Sequence, residues 1–202
     1  MPFTPAVIFA VAVISLLSNL NTIPPLEDYT STKKKAGIGA IKFKGEDSLA
    51  AVSLIKDEPV LIITAGGMVL RLDSNEITAT AKMTAGVKGI TLKDNDYVVA
   101  GLPIRNETDT LGVFAAGGMG KRMKLSEFAP QHRAGKGIIG YKPTPITGPI
   151  VDAALLEDSD TLLIVGASTS ICVSAADIPT IGRTAVGSSL LKTGNIISVS
   201  KV

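Results

Sequence analysis

With 202 residues the chain is long enough for one or two ordinary domains, and its single cysteine, Cys172, excludes an internal disulfide and fits a reducing compartment. One histidine, His132, beside that cysteine leaves the usual zinc ligand sets unfilled, so neither a metal nor any other cofactor is expected. The net charge of +2 is unevenly spread: residues 1–32 hold two acids and no base, 33–142 hold 17 bases against 11 acids, and 143–202 hold 3 against 5, which places the expected surface for a polyanion in the centre.

The first feature is the apolar run 6–17, AVIFAVAVISLL. A membrane-spanning helix needs about 20 such residues, and a secretory signal wants a basic flank that is missing here, so the run reads as a first strand. Next, Val60 to Thr64 predicts a short apolar strand, Ala65-Gly66-Gly67 a hairpin turn, and Met68 to Leu72 a second strand that carries Arg71. A third strand is expected near Gly86 to Leu92, and Asp94-Asn95-Asp96 turns the chain into Tyr97 to Ile104. The same order returns as Leu111 to Ala115, Gly117-Gly118, Gly120 to Leu125, Ile138 to Lys142 and Ile150 to Leu156. It returns again as Thr161 to Val165, Ile171 to Ala175, Ser188 to Leu191 and Ile196 to Lys201.

This order is periodic. An acidic residue followed by an apolar or aromatic one recurs about every fifty residues, as Asp28-Tyr29, Glu76-Ile77, Glu127-Phe128 and Asp177-Ile178. Each follows a turn pair (Ser18-Asn19, Gly66-Gly67, Gly117-Gly118, Ala167-Ser168) and precedes a glycine (Gly37, Gly86, Gly137, Gly187) that has a cation four residues before it: Lys33, Lys82, Arg133 or Arg183. Such a period marks a repeat architecture. The expectation is one all-β domain over 1–202, propeller-like, with four roughly 50-residue, four-stranded blades at about 7–58, 59–109, 110–159 and 160–202.

The segments MTAGVKGITLKDNDYVVAG (83–101), GGMGKRMKLSEF (117–128), QHRAGKGII (131–139) and IPTIGRTAVGSSLLKTGNIISV (178–199) resemble the C-terminal DNA-binding domain of type IIA topoisomerase A subunits, those of DNA gyrase and topoisomerase IV. That resemblance implies a β-pinwheel, with strands exchanged between neighbouring blades and DNA bent around a basic rim. It also implies that the cleaving tyrosine and the ATPase lie outside this chain: Tyr29, Tyr97 and Tyr141 lack the preceding arginine of the family's catalytic tyrosine, and no phosphate-binding loop is present. Family members usually carry five or six blades, so a four-bladed body is expected to be an open crescent or spiral. Gln131-His132-Arg133-Ala134-Gly135-Lys136-Gly137 matches five of the seven positions of the gyrase box Gln-Arg-Arg-Gly-Gly-Lys-Gly, departing at His132 and Ala134. It stands in the third copy, where the family carries the box in its first blade, so gyrase and topoisomerase IV parentage both stay open.

The candidate DNA contacts are Lys121, Arg122 and Lys124 on one strand, Arg133, Lys136 and Lys142 after it, Arg71, Lys82 and Lys88 in the second copy, and Lys33 and Arg183 in the outer copies. Cations at blade intervals can meet successive phosphates and gain from counterion release without reading sequence. Gly135, Gly137 and Gly140 spell a dinucleotide fingerprint, but no helix follows to receive a phosphate. His132 has no partner nucleophile and reads as a phosphate contact or an exposed side chain, while Tyr29, Ile77, Phe128 and Ile178 read as blade core.

The function expected is a non-catalytic DNA-binding and DNA-bending module, cytoplasmic, whose partners are duplex DNA, the topoisomerase core and its ATPase subunit. A propeller-like protein-interaction scaffold remains the alternative, since Ile23 and Cys172 stand where Arg71 and Arg122 stand in the other copies.

Overall fold

The computed structural model describes residues 48–77 and 86–202 in full, and the backbone of 9–15 and 20–22. Lys33, Lys82, Tyr29, Gly37 and the Ser18-Asn19 turn pair lie outside the described residues.

Four β-sheets, antiparallel except where β10 joins the second, repeat along the chain. The first sheet joins β1 (Phe9–Ser15), β2 (Leu20–Thr22), β3 (Ser48–Ile55) and β6 (Val87–Lys88) in the order β3-β1-β2-β6. The second holds β4 (Val60–Thr64), β5 (Met68–Leu72), β7 (Val98–Pro103), β10 (Pro130–Gln131) and β11 (Ile138–Ile139), with β10 and β11 both on the edge of β5. The third is β12 (Ile150–Leu156), β8 (Thr110–Ala115), β9 (Met119–Lys124) and β15 (Ser188–Ser189), and the fourth is β14 (Ser170–Ser174), β13 (Thr161–Gly166) and β16 (Ile196–Lys201). The fold is therefore the all-β, propeller-like pinwheel expected, and among the described residues no strand of the fourth sheet pairs with the first.

The strand exchange implied by the resemblance changes the number of strands per blade. The short strand after each repeated glycine leaves its own repeat and pairs with the preceding one: β6 with β2, β11 with β5, β15 with β9. The fourth sheet thus has three strands among the described residues, where four are expected, because Ser188–Ser189 belongs to the third.

The β4–β5 hairpin shows why these residues fold this way. Val60 to Thr64 is buried throughout, as befits a central strand covered on both faces. At the turn Gly67 has φ +80°, and a Cβ there would lie 2.1 Å from the Tyr141 carbonyl oxygen, so both conformation and space require glycine. Asp96, after the Asp94-Asn95 turn, fastens the hairpin: its carboxylate accepts from Thr64 Oγ1 at 2.7 Å, Gly66 N at 2.7 Å and Tyr97 N at 2.9 Å.

After β5, β9 and β14 comes a single 3-10 turn, Ser74–Glu76, Leu125–Glu127 and Ala175–Asp177, each ending on the repeated acid. The following Ile77, Phe128 or Ile178 is buried, as the blade-core reading requires. Three apolar clusters fill the seams between successive sheets: Ile55 with Ile62, Leu70 and Ile90; Ile63 with Val113, Phe128 and Tyr141; and Phe114 with Ile164, Ile178 and Ile196. The seams are the core, so stability is a matter of neighbour contacts.

Candidate nucleic-acid interface

Strand β9 carries Lys121 and Arg122 into the interior. Lys121 is fully buried, and its Nζ donates to the carbonyl oxygens of Arg183 at 2.7 Å, Ala185 at 2.8 Å and Gly182 at 3.1 Å, with the Tyr141 ring centroid 5.6 Å away. Burial pulls its pKa down from 10.5 to about 8; the Glu127 carboxylate opposes this and Arg183 adds to it. The expectation that Lys121 meets phosphate is therefore corrected: a side chain with no exposed surface cannot reach DNA without opening the seam.

Arg122 is corrected on the same ground. Its Nε donates to Ile178 O at 2.9 Å and one terminal nitrogen pairs with Asp158 at 2.5 Å, while its backbone joins Pro179 O and Ile181 N. Arg71 occupies the corresponding place in the second sheet and pairs with Glu107, its side chain only 13% exposed. Both pairs span 36 residues. The repeated arginine is thus a repeated structural ion pair, and that identical spacing is the sequence signal by which Glu107 and Asp158 could have been found.

The loop cations behave oppositely. Between β10 and β11, residues 132–137 swing out from the β5 edge, and His132, Arg133 and Lys136 are exposed. The loop is held by the repeat before it. Glu76 accepts from Arg133 N at 3.0 Å and pairs with His132 Nδ1 at 2.9 Å; these two contacts draw its carboxyl below the ordinary value. Ala134 N donates to Gly89 O at 2.6 Å, Thr91 N to Gly135 O at 2.8 Å, and Thr91 Oγ1 to Ala134 O at 2.6 Å. Lys88, exposed, is the neighbour of Gly89 and so stands beside this loop.

One repeat on, Glu127 accepts from Arg183 N at 3.2 Å and lies 3.8 Å from Arg183 Nε, while Arg183 also reaches Ile139 O at 3.3 Å. Glu76 and Glu127 therefore each clamp the basic loop of the next repeat. In the sequence these acids stand out as period markers, and their spacing alone gives no sign of the clamp.

The remaining cations lie apart. Lys142 is exposed beyond Tyr141, at the end of the second sheet where Gly140 N and Tyr141 N donate to Gly67 O. Lys124 is exposed at the opposite end of its strand, where it lines a cleft of about 640 Å³ together with Asp109, Glu157 and Asp158. Lys88, Arg133, Lys136 and Arg183 are the cations that lie on or beside the clamped loops.

The sequence profile of the DNA gyrase C-terminal domain, beta-propeller, matches residues 58–105, 113–148 and 173–200. The chain belongs to the DNA gyrase C-terminal domain family. It is 34% identical over 171 residues to the DNA gyrase A subunit of Kosmotoga olearia, which covers 81% of this chain and 20% of that protein. With the DNA gyrase A subunit of Escherichia coli K12 it shares 31% over 174 residues, 84% of this chain and 20% of that one. The chain therefore spans about a fifth of the length of these relatives.

Among solved structures, the C-terminal domain of DNA topoisomerase IV superposes with a TM-score of 0.90 at 26% identity, covering all of this chain and 63% of that one. The DNA gyrase A C-terminal domain superposes at 0.86 and 25%, covering 97% and 66%. In the loop, His132 contacts Glu76 and Ala134 takes φ +61°. Gly135, Gly137 and Gly140 lead into β11 and a bend rather than a helix, so the dinucleotide reading is set aside. Among the described residues no helix is long and apolar enough to cross a membrane.

Proposed function

We propose that this chain is a DNA-binding and DNA-bending module of a type II topoisomerase A subunit, holding the transported duplex for a strand-passage core whose cleaving tyrosine and ATPase lie elsewhere. The observation that carries the proposal is the clamped, exposed loop 132–137: a neighbouring repeat commits a carboxylate and three backbone or hydroxyl bonds to holding a basic loop that itself buries little. The contacts proposed are Lys88, Arg133, Lys136 and Arg183 on the clamped rim, with Lys124 and Lys142 lying apart from it and Lys33 and Lys82 added by their place in the repeat. They are phosphate contacts, so affinity follows salt and duplex bending supplies what selectivity there is. Residues 1–202 are taken as one domain, each repeat lending its short strand to the one before. The setting is cytoplasmic.

The test is binding to a linear duplex of about 150 bp, one persistence length, titrated with salt. The expected result is a linear fall of log affinity with log salt, the same for unrelated sequences. Absence of binding at low salt overturns the proposal and favours the protein-interaction scaffold.

A further inference from the structure

Lys142 and Lys192 hold the same place in successive repeats. Each directly follows a residue, Tyr141 or Leu191, whose N donates to the glycine at the preceding hairpin tip, Gly67 or Gly118, at 3.1 Å. Both lysines are exposed. Ile150 and Ile196 are equivalent in the same way, since their N–H groups donate to Ala65 O and Ala116 O, both at 2.9 Å. Between lysine and isoleucine the fourth repeat has only Thr193-Gly194-Asn195. The third has the longer Pro143-Thr144-Pro145-Ile146-Thr147-Gly148-Pro149.

The longer turn is held firmly. Its three prolines fix their own φ. Thr144 N donates to Thr147 Oγ1 at 3.0 Å, Thr147 N to Thr144 Oγ1 at 3.2 Å, and Gly148 N to Thr144 O at 2.9 Å. The turn docks on the third hairpin through Gly117 N to Thr147 O at 2.7 Å and Ala116 N to Pro149 O at 2.9 Å, and Thr147 is buried. Out of this frame stands Ile146, 88% exposed, the most exposed large apolar side chain among the described residues. Its own burial does not account for the order of the turn that carries it.

Lys192 comes to the same hairpin tip: a Cβ on Gly117 would lie 2.3 Å from Ile146 O, and one on Gly118 2.3 Å from Leu191 O. Lys142 precedes Ile146 by four residues, and residues 138–150 and 186–197 carry no acid. A rigidly held apolar side chain accompanied by cations matches a duplex, in which phosphates flank every base step. We infer that Ile146 is a wedge: on the DNA that this chain is proposed to bind, it enters between two stacked base pairs from the minor groove, with Lys142 and Lys192 on neighbouring phosphates. Apolar wedges unstack a base step and kink the duplex, and flexible pyrimidine–purine steps yield to them most easily. The inference rests on the DNA-binding reading above and adds to it a localised kink and Lys192 as a further contact.

The test uses the full chain and two short duplexes of one sequence, the first fully paired and the second with a central mismatch beside a 2-aminopurine. A mismatched base is easier to unstack, so the parent is expected to bind the second duplex about tenfold tighter and to raise its 2-aminopurine fluorescence. Ile146→Ser is expected to lose both signals. It should keep the parent's melting temperature, because the side chain removed is exposed, and the parent's salt slope, because no charge is lost. Ile146→Leu should retain both signals, and Lys192→Gln should reduce the salt slope by about 0.9. Equal affinity of the parent for the two duplexes, with a steep salt slope, overturns the wedge and leaves the DNA-binding reading standing. Absence of binding to either duplex at low salt overturns both. A preference that Ile146→Ser retains overturns the wedge and makes Ile146 a contact for protein instead. A salt slope unchanged in Lys192→Gln removes Lys192 from the site.

Discussion

Lys121 and Lys136 carry the same ammonium in the same repeat, yet one is the most buried cation of the described residues and the other stands in solvent. Lys121 lies on β9 at a seam, where the next repeat offers three carbonyl oxygens; Lys136 lies on a loop that the preceding repeat clamps from below. Basic residues in these repeats thus divide between holding the repeats together and presenting charge. Arg71, Lys121 and Arg122 do the first, and Arg133 and Lys136 the second.

The largest effect that sharpens this division is expected from Lys121→Glu. It puts a carboxylate against the carbonyls of Gly182, Arg183 and Ala185, and breaking a buried charged contact this way costs about 3–5 kcal/mol. Thermal unfolding checks it, and a variant as stable as the parent breaks the comparison. The parent has its own signature. Lys121 has a folded pKa of about 8 against 10.5 for a free side chain, so the unfolded chain binds more protons between those values, and this group makes stability rise as pH goes from about 8 to 10.5. Denaturant titrations over that window should show the rise in the parent and lose it in Lys121→Met.

The loop should respond in affinity and leave stability alone. Arg133→Glu with Lys136→Glu is expected to keep the melting temperature unchanged and to weaken DNA binding, with the salt slope reduced by about 0.9 for each phosphate that the rim no longer neutralises. Equal binding by the parent and the double variant at low salt would remove the loop from the interface.

Glu76→Gln tests the clamp between the two regions. The Glu76 carboxyl is held below 4.5 by Arg133 N and His132, so its contribution is present above that value and fades as pH falls through the lowered one. The Gln variant should therefore be less acid-sensitive, and hydrogen exchange at Arg133 should be faster than in the parent at neutral pH.

Strands such as Val60 to Thr64 and turns such as Gly66-Gly67 were readable from the sequence, since apolar runs and glycine pairs are local signals, whereas β3 and β10 drew no strand expectation. The destination of a strand is a different matter. Ser188–Ser189 reads as a strand of its own repeat, and its antiparallel pairing with Met119-Gly120, continued by the bonds from Leu190 N and Leu191 N to Gly118 O, assigns it to the third sheet. The candidate site divided in the same way. A Lys-Arg pair on a strand looks like a cationic face, and alternation gives no warning that both residues end in a seam, because the carbonyls and the carboxylate that receive them lie 36 to 64 residues further on. The exposure of Arg133 and Lys136 was legible because residues 132–137 carry no large apolar side chain to bury.

The smallest effect concerns the one residue of that loop whose backbone conformation conflicts with its side chain. Ala134 has φ +61°, the left-handed region in which a Cβ crowds the following carbonyl oxygen at a cost of about 1–2 kcal/mol. It is kept there by Ala134 N to Gly89 O and by Thr91 Oγ1 to Ala134 O, bonds that fix the loop against the second repeat. Ala134→Gly removes the strain but adds freedom to the unfolded chain worth about 0.4–1 kcal/mol. The net expectation is a gain of about 0.5–1 kcal/mol, read as a small rise in the midpoint of urea unfolding, with DNA affinity unchanged because neither Arg133 nor Lys136 moves. If the variant instead unfolds earlier, the strained conformation is not what holds the basic loop at the rim, and the clamp at Glu76 must carry that role alone.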